Sequence, residues 1–373
     1  MAIRRSQSSN VDWMARRQDE RLQRLEEDLT SVYNEAKKGV TEKWDKFSER
    51  YIEQNATMLS RLAEDEITQE EYDAWVRSHI LQDARYEGMV NSITDILTNS
   101  DIAAMAMVNG ELPYIIAQSY DFTQFVGSLI AGREEINIGT WQIYNARSVQ
   151  MLIDKNPDIL PAVDIPVDQR WNRDHVNNAI AQGLIQGNSM PQIAQRLQNV
   201  AQMDDNAAIR NARTAVTCAE NMGRNEAYNF MRENGVPAVK EWSATLDDRT
   251  RDTHLLLNDT RPNEDGYFGE GILHPAHLMQ FPADPNGEPQ ERYNCRCRLQ
   301  VVPEEYSREA NESNYERWMR ENYPEDWENV QAYDNREGGK NEQRERALER
   351  IPEARERVTA NLNERLREER RRR

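Results

Sequence analysis

Apolar residues near the start of the chain recur at helical spacing. Leu22, Leu25, Leu29, Val32 and Ala36 follow one another in three- and four-residue steps, and Val40, Trp44, Phe47 and Tyr51 continue the stripe after a stutter. Charged residues fill the other faces. The pattern predicts one long amphipathic helix, serving either as a hairpin partner or as a coiled-coil arm, opened by a capping box at Ser9-Asn10-Val11-Asp12. Thr68-Gln69-Glu70-Glu71 is a second capping box, and it predicts a helix to about Leu97 through Tyr72, Trp75, Val76, Ile80 and Tyr86. From Asp101 to Gln150, Gly110, Pro113, Gly127, Gly132 and Gly139 suggest shorter helices. Pro157, Pro161 and Pro166 then mark a connecting loop and a domain boundary.

Beyond that boundary the pattern predicts a helix over Asp168–Leu184, a stop and new N-cap at Gly187-Asn188-Ser189, and a helix to about Val200. A further helix runs from Asp205 to Asn234 and ends at Gly235. The period then shortens to two. Residues 239–245 and 295–302 alternate as strands do, and over 30 residues rich in Pro, Gly, Asn and Asp separate them. A loop of that length needs a functional or metal-based reason to stay ordered. After Pro303 the chain is highly charged, with aromatic islands that include Trp318 and Trp327, then Gly338-Gly339 and a last helix through Leu348, Ile351, Val358, Leu362 and Leu366. The fold class is α+β and predominantly α-helical, in three blocks: a helical region over 1–160, a small mixed α/β domain over 161–303 and a charged helical extension over 304–373.

Composition narrows the functions open to such a chain. Its 373 residues carry 47 Lys and Arg against 65 Asp and Glu, a net charge of −18, so general affinity for nucleic acid is disfavoured and only local basic patches remain. The apolar fraction of 38% suits extended helices with much exposed surface better than one thick globule. The most apolar stretch, Ile102–Ile116, is interrupted by Asn109, Glu111 and Pro113, so no membrane span is expected. The start lacks the apolar core of a signal peptide. Three cysteines, Cys218, Cys295 and Cys297, cannot build a disulfide framework, and a cytosol-like compartment of synthesis is expected.

Arg213-Thr214, Trp242-Ser243-Ala244-Thr245-Leu246-Asp247-Asp248-Arg249-Thr250-Arg251, His254, Phe281-Pro282-Ala283-Asp284-Pro285 and Asn294-Cys295-Arg296-Cys297-Arg298 occur in that order. Over roughly 168–302 the chain thereby resembles the phage Mu F-like minor head proteins, also called the head morphogenesis family. Ala215 departs from the acidic residue that commonly follows Arg-Thr, and Asp259 stands near where a Gly often follows the histidine. The resemblance implies a low-copy virion component, made in the host cytoplasm and associated with the portal vertex. It would act in procapsid assembly with the portal protein and the major capsid or scaffold protein as partners. It also implies that the 161–303 block is the head morphogenesis domain.

His254, His274, His277, Cys295 and Cys297 fall in one short window, so metal chemistry is confined there. Two cysteines two apart on a strand would face one side and share a soft cation, with His254 the favoured third ligand for a structural zinc and His277, Asp247 or His274 as the fourth. The plainer alternative is a pair of small buried thiols beside a hydrogen-bonded histidine. Asp247, Asp248, Arg249 and Arg251 read as a strand-end turn with charge pairing rather than an acid-base pair. Arg296 and Arg298 should project from the opposite sheet face, to bind phosphate or to pair with acids, and Cys218 should be packed and inert. No phosphate-binding loop of the Gly-x-x-x-x-Gly-Lys type and no Gly-x-Ser-x-Gly elbow is present, which favours a non-enzymatic scaffold. The second reading is a zinc-dependent nucleic-acid-processing enzyme acting in packaging or ejection. Arg370, Arg371, Arg372 and Arg373 are the strongest positive patch, suited to packaged DNA, to an acidic portal surface, or simply to the dipole of a solvated helix end.

Overall fold

The computed structural model describes residues 13–133, 169–306, 321 and 340–372. It is predominantly helical with one two-stranded antiparallel sheet. In chain order the elements are α1 (Trp13–Ser48), a 3-10 turn, α2 (Ile52–Ala63), α3 (Gln69–Val76), α4 (Tyr86–Arg133), α5 (Gln169–Ile185) and α6 (Met190–Glu233). After them come β1 (Ala238–Ser243), α7 (Asp252–Leu257), α8 (Pro289–Arg292), β2 (Arg298–Pro303), α9 (Lys340–Glu349) and α10 (Ile351–Arg372). Ser9 and its cap, the islands at Trp318 and Trp327, and Arg373 lie outside the described residues. No helix among the described residues is long and apolar enough to cross a membrane.

Two compact units emerge, and they cut across the three consecutive blocks. One comprises Arg24–Asn109 and Val163–Ala212; the other comprises Met1–Gln23, Gly110–Ala162 and Arg213–Arg373. The first unit, where described, is all helix. Its core joins Val40, Trp44 and Phe47 to Tyr72, Ile80, Ile93, Leu97, Ile180 and Leu197. Along α1 the buried position is Tyr33 and not Val32, which is half-buried. The buried steps therefore run 22, 25, 29, 33, 36, 40, 44, 47 and on to 51 in the following turn, an eleven-residue period of three, four and four whose stripe drifts slowly in the right-handed sense. The Thr68 capping box forms as expected, with the Thr68 side chain accepting from Glu71 N–H and the Glu71 carboxylate accepting from Thr68 N–H.

The helix breaks expected at Gly110, Pro113, Gly127 and Gly132 and after Val200 do not occur. α4 runs unbroken through Gly110 and Pro113, because Leu112, Ile115 and Ile116 on either side are buried and that burial outweighs the missing N–H of proline. α6 likewise continues where the sequence suggested a gap after Val200, since Ala201, Asp204, Asp205 and Ala208 are all buried. Gly127 and Gly223 work as spacers: an added Cβ would collide with Met231 Sδ at the first and with the Ile116 carbonyl at the second. Gly187 and Gly235, with φ of 70° and 74°, do terminate helices as the pattern implied.

The second unit holds the sheet. β1 and β2 pair antiparallel from Ala238 opposite Pro303 to Ser243 opposite Arg298. Tyr120, Val126 and Ile130 of α4 pack with Ala227 and Met231 of α6 and with Val301 and Val302 of β2. β2 is buried at every position, so its alternation in sequence does not report one wet face.

The helical unit contains a buried acidic cluster. Tyr33 donates to Asp101 at 2.8 Å, Asn172 donates to Asp101 at 3.0 Å, and Asp204 is only 6% exposed. Burial, aided by the charge of Asp101, pushes the Asp204 carboxyl up to about 7. Between about pH 4 and pH 7 the folded chain therefore holds a proton that the unfolded chain releases, so stability falls as pH rises through that window and levels off above it. Asp204→Asn should remove this loss. Urea unfolding at intervals from pH 4 to pH 8 should show the variant gaining on the parent up to about pH 7, by as much as ~4 kcal/mol.

Candidate metal centre and arginine-lined cleft

One face of α6 organises the site. Thr214, Thr217 and Asn221 are spaced three and four residues apart, so their side chains line up along the helix. Thr214 Oγ1 accepts from Asn294 N–H at 3.0 Å, and Thr217 Oγ1 donates to the Cys295 carbonyl at 3.0 Å. Asn221 Nδ2 donates to the carbonyls of Cys297 and Pro282, each at 3.0 Å, while its Oδ1 accepts from Leu299 N–H at 2.7 Å. From the other side Thr245 donates to the Arg296 carbonyl at 2.9 Å. Carbonyls of 295 and 297 thus turn to the helix and that of 296 turns away, which is the alternation of an extended chain. Cys295 and Cys297 precede β2 rather than lying in it, yet their thiols converge as expected on strand geometry.

His254 meets them from α7. The turn before that helix is built on Asp247, whose carboxylate accepts from Arg249 N–H at 2.9 Å and from the Thr250 hydroxyl at 3.1 Å. Arg296 closes on the same carboxylate with both terminal nitrogens, one of them at 2.8 Å. Burial opposes the charge of Asp247, yet these hydrogen bonds and the Arg296 charge together hold it below the usual carboxylate range. The Asp247–Arg251 run thus forms a hydrogen-bonded turn ahead of α7 with Asp247 paired to Arg296. Trp242 presents a T-shaped contact to the His254 ring at 5.3 Å, and its backbone is tied to the chain beyond α7 by Asp259 N–H donating to Trp242 O at 2.7 Å. Asp259 has φ of 57° and Asn294 φ of 55°. A glycine at the first position would relax a left-handed residue, and asparagine is among the side chains that tolerate that region at the second.

His254 Nδ1 lies 3.3 Å from Cys297 Sγ and 3.8 Å from Cys295 Sγ, and all three residues are buried. Tetrahedral zinc with ordinary bond lengths places sulfur and nitrogen ligands about 3.6 Å apart, between those two distances. The far ring nitrogen, Nε2, is 3.1 Å from Glu291 Oε2, within ion-pair reach although off the axis of a good N–H hydrogen bond. Thr253 donates to that same carboxylate oxygen at 2.7 Å. A histidine turned to two thiols on one side and a carboxylate on the other has the outer support that metal-binding histidines usually have. Burial opposes charge on the trio. Even so, Cys297 lies well below the usual thiol range, since Cys295 hydrogen-bonds to it and His254 places positive charge beside it, and Cys297 and Glu291 raise His254 to about 9. A thiolate is the form that metal requires.

The trio comprises His254, Cys295 and Cys297; the other candidate ligands lie elsewhere. His277 is exposed, and His274 Nε2 lies 3.1 Å from Glu369 of α10. Asp247 is taken by Arg296. Arg296 and Arg298 both pair with acids: Arg298 is buried and donates to Glu220 at 2.7 Å, with Asp19 at 3.2 Å. Cys218 is fully buried, and burial pushes its thiol up, as befits an inert packed residue. The exposed Arg370, Arg371 and Arg372 end α10. Upstream, that helix and α9 clasp the long loop: Arg346 pairs with Asp248 at 3.2 Å, Arg357 with Asp252 at 2.7 Å, Arg350 with Asp252 at 3.2 Å, and Arg365 with Glu288.

Beside the trio is a cleft lined by Arg213, Thr245, Arg249, Thr250, Arg251 and Asn294, with Arg296, His254 and Cys297 at its wall. Sequence reasoning missed Thr217, Asn221 and Glu291. The first two carried a signal, a three-then-four spacing of hydrogen-bonding residues after Thr214; Glu291 carried none.

Residues 174–300 match the family described as Phage Mu protein F like protein. Every residue of the trio and of its α6 support lies inside the matched segment. The chain is 30% identical to Minor head protein GP7 of Bacillus phage SPP1 over 207 residues, which is 53% of this chain and 62% of that protein. It is 29% identical over 150 residues to NAD(+)–arginine ADP-ribosyltransferase EFV of Enterococcus faecalis, covering 39% of this chain and 29% of that protein. It therefore spans less than two thirds of either relative. No solved structure matches.

Asn221 completes three backbone hydrogen bonds between elements and has no surrogate. Asn221→Ala should cost at least about 3 kcal/mol, the sum of several buried groups left unpaired, and urea unfolding at neutral pH measures it. Thr253→Ala, which removes one hydroxyl from the Glu291 carboxylate, should cost about 1 kcal/mol.

Proposed function

We propose that the protein is a phage minor head protein that acts in procapsid assembly and head morphogenesis from the portal vertex, and that a structural zinc on His254, Cys295 and Cys297 pins its Mu F-like domain. The observation that carries the reading is the coincidence of the family segment, 174–300, with the buried trio and the helix face that holds it. The similarity to the SPP1 minor head protein supports the assembly role. The ADP-ribosyltransferase activity named for the enterococcal protein stays with that protein, of which this chain spans 29%. Portal protein and the major capsid or scaffold protein are the proposed partners, with the exposed Arg370, Arg371 and Arg372 as the surface for an acidic portal patch or packaged DNA.

Zinc here would tie α7 to the chain entering β2, 41 residues apart in sequence between His254 and Cys295. Three protein ligands leave a fourth position for solvent or a ligand, which is also the pattern of catalytic zinc. The cleft beside the trio is lined by arginines, threonines and asparagine without a carboxylate to serve as a general base, which supports the structural role over the processing-enzyme reading.

Purified full-length protein should contain one equivalent of zinc by plasma mass spectrometry, and Cys295→Ala with Cys297→Ala should abolish it and lower the thermal midpoint. Metal-free parent protein of unchanged stability would refute the pin. Separately, quantitative mass spectrometry of purified procapsids and virions should find the protein at few copies per particle and recover it with the portal. Absence from both particles would end the assembly reading.

A further inference from the structure

The chain carries a net charge of −18, yet four arginines, Arg213, Arg249, Arg251 and Arg296, converge on one cleft without an acidic residue in its lining. Among them Arg296 is committed to Asp247, and Arg251 donates to the Tyr293 carbonyl, which fixes its fork at the rim. Arg249 is different. Its side chain is 64% exposed and reaches Asp247 only at 4.0 Å, so its guanidinium is free to turn onto a ligand. Thr245 and Thr250 spend their hydroxyl protons on backbone or on Asp247, which leaves the arginines, with the Asn294 amide, as the donors of the lining.

Concentrated positive charge in a concavity of an otherwise acidic protein focuses field and draws anions to that place. Guanidinium forks match phosphate oxygens two at a time, and several forks around one small space suit a group with more than one charge and at least three acceptor oxygens better than a single carboxylate. The cleft encloses about 290 Å³, the lower end of small-molecule sites, which fits one phosphate with little more than a sugar attached. We propose that this cleft is a phosphate-binding site, in which Arg249 and Arg251 grip the oxygens while Arg213 and Arg296 supply the surrounding positive field. The phosphate is either a free or terminal one, or a diester unit of a nucleic-acid strand. The proposal does not depend on the protein's place in the particle.

Calorimetric titration of the full-length protein with inorganic phosphate, and with a short single-stranded oligodeoxynucleotide, tests it. Saturable binding at one equivalent is expected, with Arg249→Gln weakening it about tenfold or more, the loss of one charge-assisted bidentate contact. Arg346→Gln, which alters an exposed arginine paired with Asp248 outside the cleft, should leave the affinity unchanged. If the oligonucleotide displaces phosphate and shows the same Arg249 dependence, the source is a nucleic-acid backbone; if only phosphate binds, the source is a small phosphate. Because Arg251→Gln also removes a backbone contact, Arg249→Gln carries the decision. No saturable binding of either probe, or binding that Arg249→Gln leaves intact, overturns the site.

Discussion

The arrangement depends on how a non-ladder stretch of chain satisfies its buried backbone. Residues 294–297 run into the interior before β2 begins, and a buried carbonyl or N–H without a partner costs as much as a lost hydrogen bond. The partners come from Thr214, Thr217 and Asn221 on one helix face and Thr245 across from it. With those bonds made, the extended backbone alternates correctly, both thiols fall on one side, and His254 can be brought to them by a short helix and a single aspartate-centred turn. The trio is a consequence of that suspension.

The long segment between the strands, which has little regular structure of its own, is held by polar means from two directions. On the inside, Asp284 accepts from Gln280 N–H and Asn286 N–H, and Lys240 reaches across to the Gln280 carbonyl and to Asn225. On the outside, arginines of α9 and α10 meet the acids of the loop. Most of those pairs are half exposed and contribute under about 1 kcal/mol each, so they set where the final helices lie more than they stabilise them.

Much of this was legible in the sequence where a rule is local. The Thr68 capping box, the Gly187 and Gly235 stops, the two strands and the convergence of Cys295, Cys297 and His254 all follow from spacing or from the family pattern. The failures share a cause. Gly110 and Pro113 signal a break only until tertiary burial holds the helix together, and Val32 gives way to Tyr33 because the true period is eleven and not seven. His277 shares a short window with His254, but sequence distance in a loop says nothing of spatial distance, and it lies outside the trio. Asn221 acts on a carbonyl 76 residues away, and its spacing from Thr214 and Thr217 marks the helix face but not that partner; Glu291, 37 residues from His254, has no local pattern at all.

The pairing of Ala238 with Pro303 has a kinetic meaning as well. A ribosome adding ~5–20 residues per second leaves β1 without its partner for roughly 3–13 s. During that interval the strand is an unpaired edge, the kind that recruits other chains. Lys240 and Glu241 sit at its centre, both buried in the finished fold. Charged side chains there make the strand a poor template for a stranger while it waits, and they become buried only when the finished fold supplies contacts that make burial tolerable, such as Asn225 and the Gln280 carbonyl for Lys240. The cost of burying them in the finished fold is thus also a guard on the unfinished one.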